Sequence, residues 1–285
     1  MEWWGNSEML GDGAPFLDRF PGAYRAYSLQ LLRTGVPHVA QVRRSSDNAL
    51  QNVSATEITD GTLTSWVGAG NNGFVVRLYD QQRLVNNASD PAVQLDSTRQ
   101  PQIVAAGALI TTNGKPAMRL NGTSSYMIVP SIGSIAMNAF NVSVVAKSDI
   151  ATSSFGFGVT DPNRILVPNI GGTPTTMNVG YAGSNLAFVF GSTGITDQVL
   201  WQLNAGAAQA NAWRNGVAST PVASSSVVEN FASVNLAIGT LIRYGAPITT
   251  AYWNGTFQEL IIYGSDKAAD VAAHAAAINS RYNIF

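Results

Sequence analysis

The sequence predicts an all-β protein, an antiparallel sandwich with a short helix near each end. Three observations predict it. From residue 36 onward, short runs of β-branched and aromatic residues alternate with Gly, Asn, Pro and Ser, about a dozen strands at regular spacing. Little helical periodicity separates those runs, which argues against a βαβ fold. Apolar residues make up 46% of the 285 residues but charged residues only 12%, about half the usual fraction. Ser, Thr, Asn, Gln and Gly must then keep the chain in solution, as in rigid β-proteins of extracellular or virion type.

The strands read as "GFVVRLYD" (73–80), "KPAMRLNGTSSYMIVP" (115–130), "FNVSVVAK" (140–147), "SNLAFVFG" (184–191), "VLWQLN" (199–204), "AWRNG" (212–216), "VNLAIGT" (234–240) and "GTFQELIIYG" (255–264). Residues 1–20 carry Gly, Trp and acid without periodicity and read as an arm or docking segment. Gly22 to Arg33 reads as a short helix, with Tyr24, Tyr27 or Ser28, and Leu31 at helical spacing. At the other end, "SDKAADVAAHAAAINSRYNIF" predicts one helix. Ser265 is its expected N-cap and Asp266 sits in the first turn, where the dipole favours an anion. Val271, Ala275, Ile278 and Tyr282 fall on one face. No repeat or linker divides residues 21–285, so they are expected to form one sandwich domain behind the arm.

The net charge of −1 gives no field to draw the chain to nucleic acid or an anionic membrane. Zero cysteines exclude disulfides, thiolate zinc sites and a cysteine nucleophile, and two histidines exclude a multi-histidine metal site. "MEWWGNSEML" has no signal-peptide pattern, and no apolar run approaches the roughly 20 residues that span a bilayer. The expectation is a soluble protein with no nucleic-acid partner and no membrane insertion. No cofactor is expected; "NNASD" (86–90) could offer oxygen ligands to Ca2+, without the EF-hand pattern.

"AWRNGVAS" (212–219), "NFASVNLAIG" (230–239) and "YWNGTFQELIIYG" (252–264) follow in an order that resembles concanavalin-like jelly-roll domains of laminin-G and legume-lectin type. An Asn-Gly hairpin, a strand ending in Ile-Gly and a closing strand carry the likeness, Asn-Gly supplying the two positive-φ residues of a tight turn. "AYSLQLLRTGVPHVAQVRRSSDNA" (26–49), "WVGAGNNGF" (66–74), "RLYDQ" (77–81) and "NGKPAMRLNG" (113–122) resemble the catalytic domain of sandwich-fold α-L-arabinofuranosidases. They resemble still more the concanavalin-like domains of tailed-phage virion proteins. The likeness runs through nearly the whole chain from residue 23.

In those enzymes the nucleophile is a Glu shortly after a vicinal Cys pair. The nearest stretch here, "SSFGFGVTD" (153–161), keeps Phe155 and Gly158 but has Ser153 and Ser154 for the cysteines and Asp161 where the Glu would be. Asp is one methylene shorter, and a retaining pair must stand roughly 5–5.5 Å apart. The resemblance therefore implies no intact catalytic set, with Asp161 the candidate if hydrolysis occurs. Glu229 and Glu259 are conceivable partners that no spacing selects.

Other residues carry binding chemistry. Tyr79, Asp80 and Gln81 correspond in the resembling domains to a strand end near the concave face, where an Asp can accept sugar hydroxyls; a turn or structural hydrogen bond is the alternative. Trp201, Trp213 and Trp253 could stack on sugar rings or fill the core, with Trp213 and Trp253 carried as ligand candidates. Arg43, Arg44 and Asp47 could grip an anion, but read first as a clamp within the fold. His38 has no Ser or Asp placed for a triad. Adjacent Trp3 and Trp4 cannot both bury within their own arm and are expected to dock on a partner.

Together these features predict a non-enzymatic virion component of a tailed phage, a capsid decoration or tail or spike-tip protein. It would be assembled in the host bacterial cytoplasm, docked on other virion proteins, homo-oligomeric, and able to touch host surface polysaccharide for attachment. A glycan-binding adhesin on the same particle and a glycoside hydrolase of arabinofuranosidase type are the alternatives.

Overall fold

The strand Asn254–Tyr263 is the spine of the molecule, and nine of its ten residues are buried. The computed structural model describes residues 13–82, 90–129, 133–136, 138–150, 157–161, 164–166, 175–181, 184–190, 197–223, 228–231, 235–240, 242–243, 246–247 and 252–285, with the backbone alone for 133–135, 157–190, 228–231 and 242–247. Four helices fall in it: α1 (Phe16–Arg19), α2 (Ala55–Thr59), α3 (Thr62–Val67) and α4 (Val271–Tyr282).

Two antiparallel sheets face each other. In the first, Gln209–Arg214, Gln198–Ala205, Phe140–Ser148 and the spine lie side by side. The far edge of the spine is shared by Arg25–Ser28 along its C-terminal half and Met118–Asn121 along its N-terminal half. In the second sheet Leu50–Val53, Ala40–Arg44, Gly73–Leu78, Ala92–Val93, Met127–Val129, Leu236–Ile238 and Phe157–Asp161 follow one another. Gln102–Ala105 bridges the sheets, pairing with both Gly73–Leu78 and Met118–Asn121. This is the expected concanavalin-like sandwich.

Alternation along the strands builds two cores, since successive side chains point to opposite faces. Val142, Val144, Val199, Trp201, Leu203, Leu260 and Ile262 fill the space between the sheets. Their neighbours Val145, Leu200, Ile261 and Tyr263 point outward, where α1 and α4 cover them with Phe16, Leu17, Ala275, Ile278 and Tyr282. The predicted face of the C-terminal helix is the face that packs. A β-bulge reconciles the two patterns: pairing with Phe140–Ser148 shifts between Val145 and Ala146, opposite Gln258. Phe257 and Leu260 therefore face the same core despite their odd separation. The Gln258 amide reaches the carbonyls of Thr112, Lys115 and Pro116 at 3.3, 3.3 and 3.2 Å, and its oxygen accepts from Gln198. Gly255 is required beside it, because a Cβ there would lie 2.0 Å from the Lys147 carbonyl oxygen.

Three expectations are corrected. Gly22 to Arg33 is not a helix; its centre is the strand Arg25–Ser28, buried on both faces. The helical spacing there was accidental, since Tyr27 enters the inter-sheet core while Leu31 stays 38% exposed. The N-terminal helix is instead α1, inside the segment expected to be an arm. Phe16 and Leu17 are buried beneath α4, so the packed body begins before residue 20. Finally, α4 starts at Val271 and not at Ser265. Asp266 caps no helix; it accepts from Asn204 Nδ2 at 2.7 Å and Ala268 N at 2.9 Å, while Lys267 N donates to Asn204 Oδ1 at 2.8 Å. That exchange fixes residues 266–268 as a turn on the sheet's end.

The docking of α4 includes buried polar groups. Glu259 is fully buried on the outer face of the spine; Arg281 Nη2 pairs with its Oε1 at 2.5 Å and Tyr282 Oη donates to its Oε2 at 3.0 Å. Ser28 Oγ lies 2.9 Å from the same tyrosine oxygen. Next to them His274 is fully buried among the rings of Phe16, Phe20 and Tyr263, at 5.1, 4.5 and 5.3 Å between centroids. Burial pushes its pKa down to about 4. Removing one partner of a buried ion pair leaves an uncompensated charge. Arg281→Ala is expected to cost about 3 kcal/mol in urea unfolding; an Arg281→Met, Glu259→Met double variant should recover most of that loss.

Candidate functional site

The sequence raises several polar and aromatic groups as sites, and the fold sorts them by which side chains it leaves near solvent. The arginine cluster is spent internally. Arg43 donates to Gln100 Oε1 at 2.8 Å, Asn48 Oδ1 at 2.7 Å and the Ser97 carbonyl at 3.3 Å, with its guanidinium 4.8 Å from the Phe74 ring. Arg44 forks onto Asp47 at 2.8 and 2.7 Å, donates to the Trp66 carbonyl at 2.9 Å and lies over that indole. The Arg44 hydrogen bonds, with help from Ala49 N–H, hold the Asp47 carboxyl well below the usual carboxylate range. These contacts tie the hairpin between Ala40–Arg44 and Leu50–Val53 to α3 and to residues 97–100. They clamp no N-terminal helix. His38 is half-buried just ahead of this hairpin.

Tyr79, Asp80 and Gln81 are buried, and the polar atoms of Asp80 and Gln81 act as a substitute strand. Tyr79 Oη donates to Asn52 Oδ1 at 2.8 Å. Asp80 Oδ1 accepts from Ala26 N at 2.9 Å and Gln82 N at 3.0 Å, with Arg25 Nη1 3.8 Å from Oδ2. The Gln81 side chain accepts from Leu32 N at 2.7 Å and donates to the carbonyls of Ser28 at 2.9 Å and Gln30 at 2.8 Å. Gln81 N also reaches the Ala26 carbonyl at 2.8 Å. Asp80 is 1% exposed and points at the chain, not at a concave face. Burial raises its pKa to about 6 against the lowering effect of the two N–H donors and Arg25.

Parity separates the three tryptophans. Trp201 and Trp253 are each 1% exposed inside the sandwich, and Trp253 Nε1 donates to the Lys147 carbonyl at 3.2 Å. Trp253, expected at a sugar, is a core filler. Trp213 pairs in register with Gln202, one residue past Trp201, so both point to the outer face. α4 covers the middle of that face but stops short of the edge strand Gln209–Arg214. Between helix and edge runs a groove of about 350 Å³, lined among others by Gln202, Trp213, Val271, Ala275, Ala276 and Phe285. Gln202 donates Nε2 to the Val271 carbonyl at 3.3 Å, which leaves its buried Oε1 without a partner. An indole face, methyl walls and one orphan acceptor suit a ligand with an apolar face and a hydroxyl or amide donor. Among the described residues no Asp or Glu side chain lines the groove. Gln202 and Phe285 were missed from sequence; the register that places Gln202 beside Trp213 was the usable signal.

Asp161 ends the strand Phe157–Asp161, opposite Arg164 in a hairpin, and its side chain lies outside the described residues, as does that of Glu229. Glu259 is the buried partner of Arg281 on the helical side of the first sheet. Trp3, Trp4 and most of the candidate calcium loop also lie outside the described residues; Asp90, at that loop's end, pairs with Arg25 at 2.9 Å. Among the described residues no cluster of three or more acidic or histidine side chains could hold a metal ion.

No protein-family profile and no curated protein matches the sequence. Solved structures do. A GH54 α-L-arabinofuranosidase soaked with a cyclic sulfate inhibitor is similar with a TM-score of 0.65 at 13% identity, over 90% of this chain and 62% of that one. An arabinofuranosidase complexed with arabinofuranosyl-α-1,2-xylobiose gives 0.60 at 14% identity over the same shares. The chain thus spans less than two thirds of the length of these structures, and at such identity the likeness concerns the fold.

Two buried titratable groups give a paired prediction. With its folded pKa raised, Asp80 contributes stability that is present below pH 4 and lost as pH rises through 6; with its folded pKa lowered, His274 contributes stability present above 6.5 and lost as pH falls toward 4. Each is worth about 3 kcal/mol across its window, with opposite sign, so the parent should be nearly flat between pH 4 and 6. In urea unfolding at fixed pH, Asp80→Asn should become less stable as pH falls through that range, and His274→Phe more stable. Parallel profiles for parent and variants would contradict the assignment.

Proposed function

We propose that this protein is a non-catalytic glycan-binding sandwich on a tailed-phage particle, holding host surface polysaccharide in the Trp213 groove. The observation that carries the reading is the groove: a half-buried indole beside the orphan Gln202 oxygen, on a face that α4 leaves open. A pyranose presents C–H groups to an aromatic face and hydroxyls around its rim, which meets both features. The phage setting is supported by the resemblance of residues 26–49, 66–74, 77–81 and 113–122 to virion domains. Attachment to other virion proteins falls to the N-terminal segment with Trp3 and Trp4. Because Phe16 and Leu17 belong to the core, that role falls to the residues that precede them.

The second reading, a hydrolase of arabinofuranosidase type, is favoured by the shared fold and would centre on Asp161. Binding of the full-length protein to an array of bacterial polysaccharides tests the first reading. Saturable binding to one class is expected, weakened at least about tenfold in Trp213→Ala. A blank array with folded protein sinks it, and turnover of an aryl arabinofuranoside that vanishes in Asp161→Asn would replace it with the second. Deleting residues 1–12 should abolish incorporation into particles while leaving the thermal unfolding midpoint within about 2 °C of the parent; unchanged incorporation refutes the docking role.

A further inference from the structure

A second cleft lies on the opposite side of the spine from the Trp213 groove. Three elements build it: residues 29–31, which follow the strand Arg25–Ser28; α2; and the hairpin of Thr111–Thr112 with Lys115–Pro116. Asn113 and Gly114, with φ of 48° and 69°, make that hairpin's tight turn, and it projects Lys115 beside α2. The cleft has a volume of about 300 Å³ and is lined by Gln30, Leu31, Thr56, Thr59 and Lys115 among others.

Its polar lining is unbalanced. Gln30 Nε2 is shielded from solvent and has no hydrogen-bond partner, although buried amide donors are nearly always paired. Lys115 adds an ammonium group, and among the described residues no carboxylate pairs with it. Among the described residues no Asp or Glu lines the cleft. Glu57, the one acid on α2, is turned away in a capping box, accepting from Ser54 N at 2.7 Å. The Thr59 hydroxyl donates to the carbonyls of Ala55 and Thr56 at 3.2 and 3.1 Å. A cation and an unused amide donor in one concavity without a counter-charge are complementary to a compact anion with several acceptor oxygens.

We propose that this cleft is an oxyanion site, taking a carboxylate or sulfate group through Lys115 and Gln30. The anion is free in solution or carried by an acidic saccharide, and the chemistry is the same for both. The site is separate from the Trp213 groove, so the two can fail independently.

Calorimetric titration of the full-length chain at constant ionic strength tests it, with sodium sulfate, inorganic phosphate and galacturonate as probes and chloride as the balancing salt. Saturable binding of at least one probe is expected, lost by about tenfold or more in Lys115→Met and abolished in Gln30→Glu, which places a like charge in the cleft. Trp213→Ala should leave it unchanged. Galacturonate binding at least about tenfold tighter than sulfate and phosphate assigns a saccharide acid group, and equal binding assigns the free anion. Absence of saturable binding by all three probes overturns the proposal, as does unchanged binding in Lys115→Met and Gln30→Glu when both retain the parent unfolding midpoint.

Discussion

The spine strand Asn254–Tyr263 must be dry on both sides, and most of the architecture answers that demand. One face is met by the second sheet and the other by α1 and α4. A strand buried twice cannot show clean alternation, and a single register could not serve both faces along ten residues. The bulge at Gln258 resolves this by letting Phe257 and Leu260 enter one core while Glu259, Ile261 and Tyr263 enter the other. The displaced glutamine is then satisfied by the carbonyls around the 112–116 hairpin, so the irregularity also fixes where that hairpin sits. The position of one site candidate therefore follows from the packing of a strand some distance away.

The groove beside Trp213 arises from the same constraint. α4 is twelve residues long, about 18 Å, and it covers the strands nearest the spine without reaching the edge strand. Its packed side carries Val271, Ala275, Ile278 and Tyr282. Toward the groove its exposed positions are alanine at 272 and 276, short enough to leave the neighbouring indole uncovered. Had those positions been long polar residues, their stems would have closed over Trp213.

Much of the fold was legible because the strands of the sandwich follow period two or read as short apolar runs between Gly and Asn turns. The Asn215–Gly216 turn and the packed face of α4 were readable for the same local reason. Where burial was two-sided, local pattern failed: Arg25–Ser28 looked helical because every position is buried and no period survives. The start of α4 was misplaced because Asn204, sixty residues away, captures Asp266 and Lys267 N–H before they can open a helix. Asp80 and Gln81 resembled ligand-binding residues because a carboxylate and a carboxamide serve a backbone as well as a sugar. Composition cannot tell those uses apart; only the position of residues 26–32 does. Trp213 could be separated from Trp201 only by knowing that residue 213 stands opposite residue 202, which is a register and not a motif.

The stitching of residues 26–32 by Asp80 and Gln81 has a consequence for how copies of this chain can meet. Arg25–Ser28 lies at the boundary of the first sheet, with one side hydrogen-bonded to the spine. Its other side would normally offer a row of free N–H and C=O groups, a template on which a strand from another chain could add. Here Ala26 N, Ala26 O and Ser28 O are already engaged by side chains and backbone of residues 80–81. The sheet is therefore sealed at that boundary, and strand exchange between neighbours there would first have to break a buried carboxylate and a buried amide from their partners. Two copies of the chain that meet through that side would not fuse into a continuous sheet.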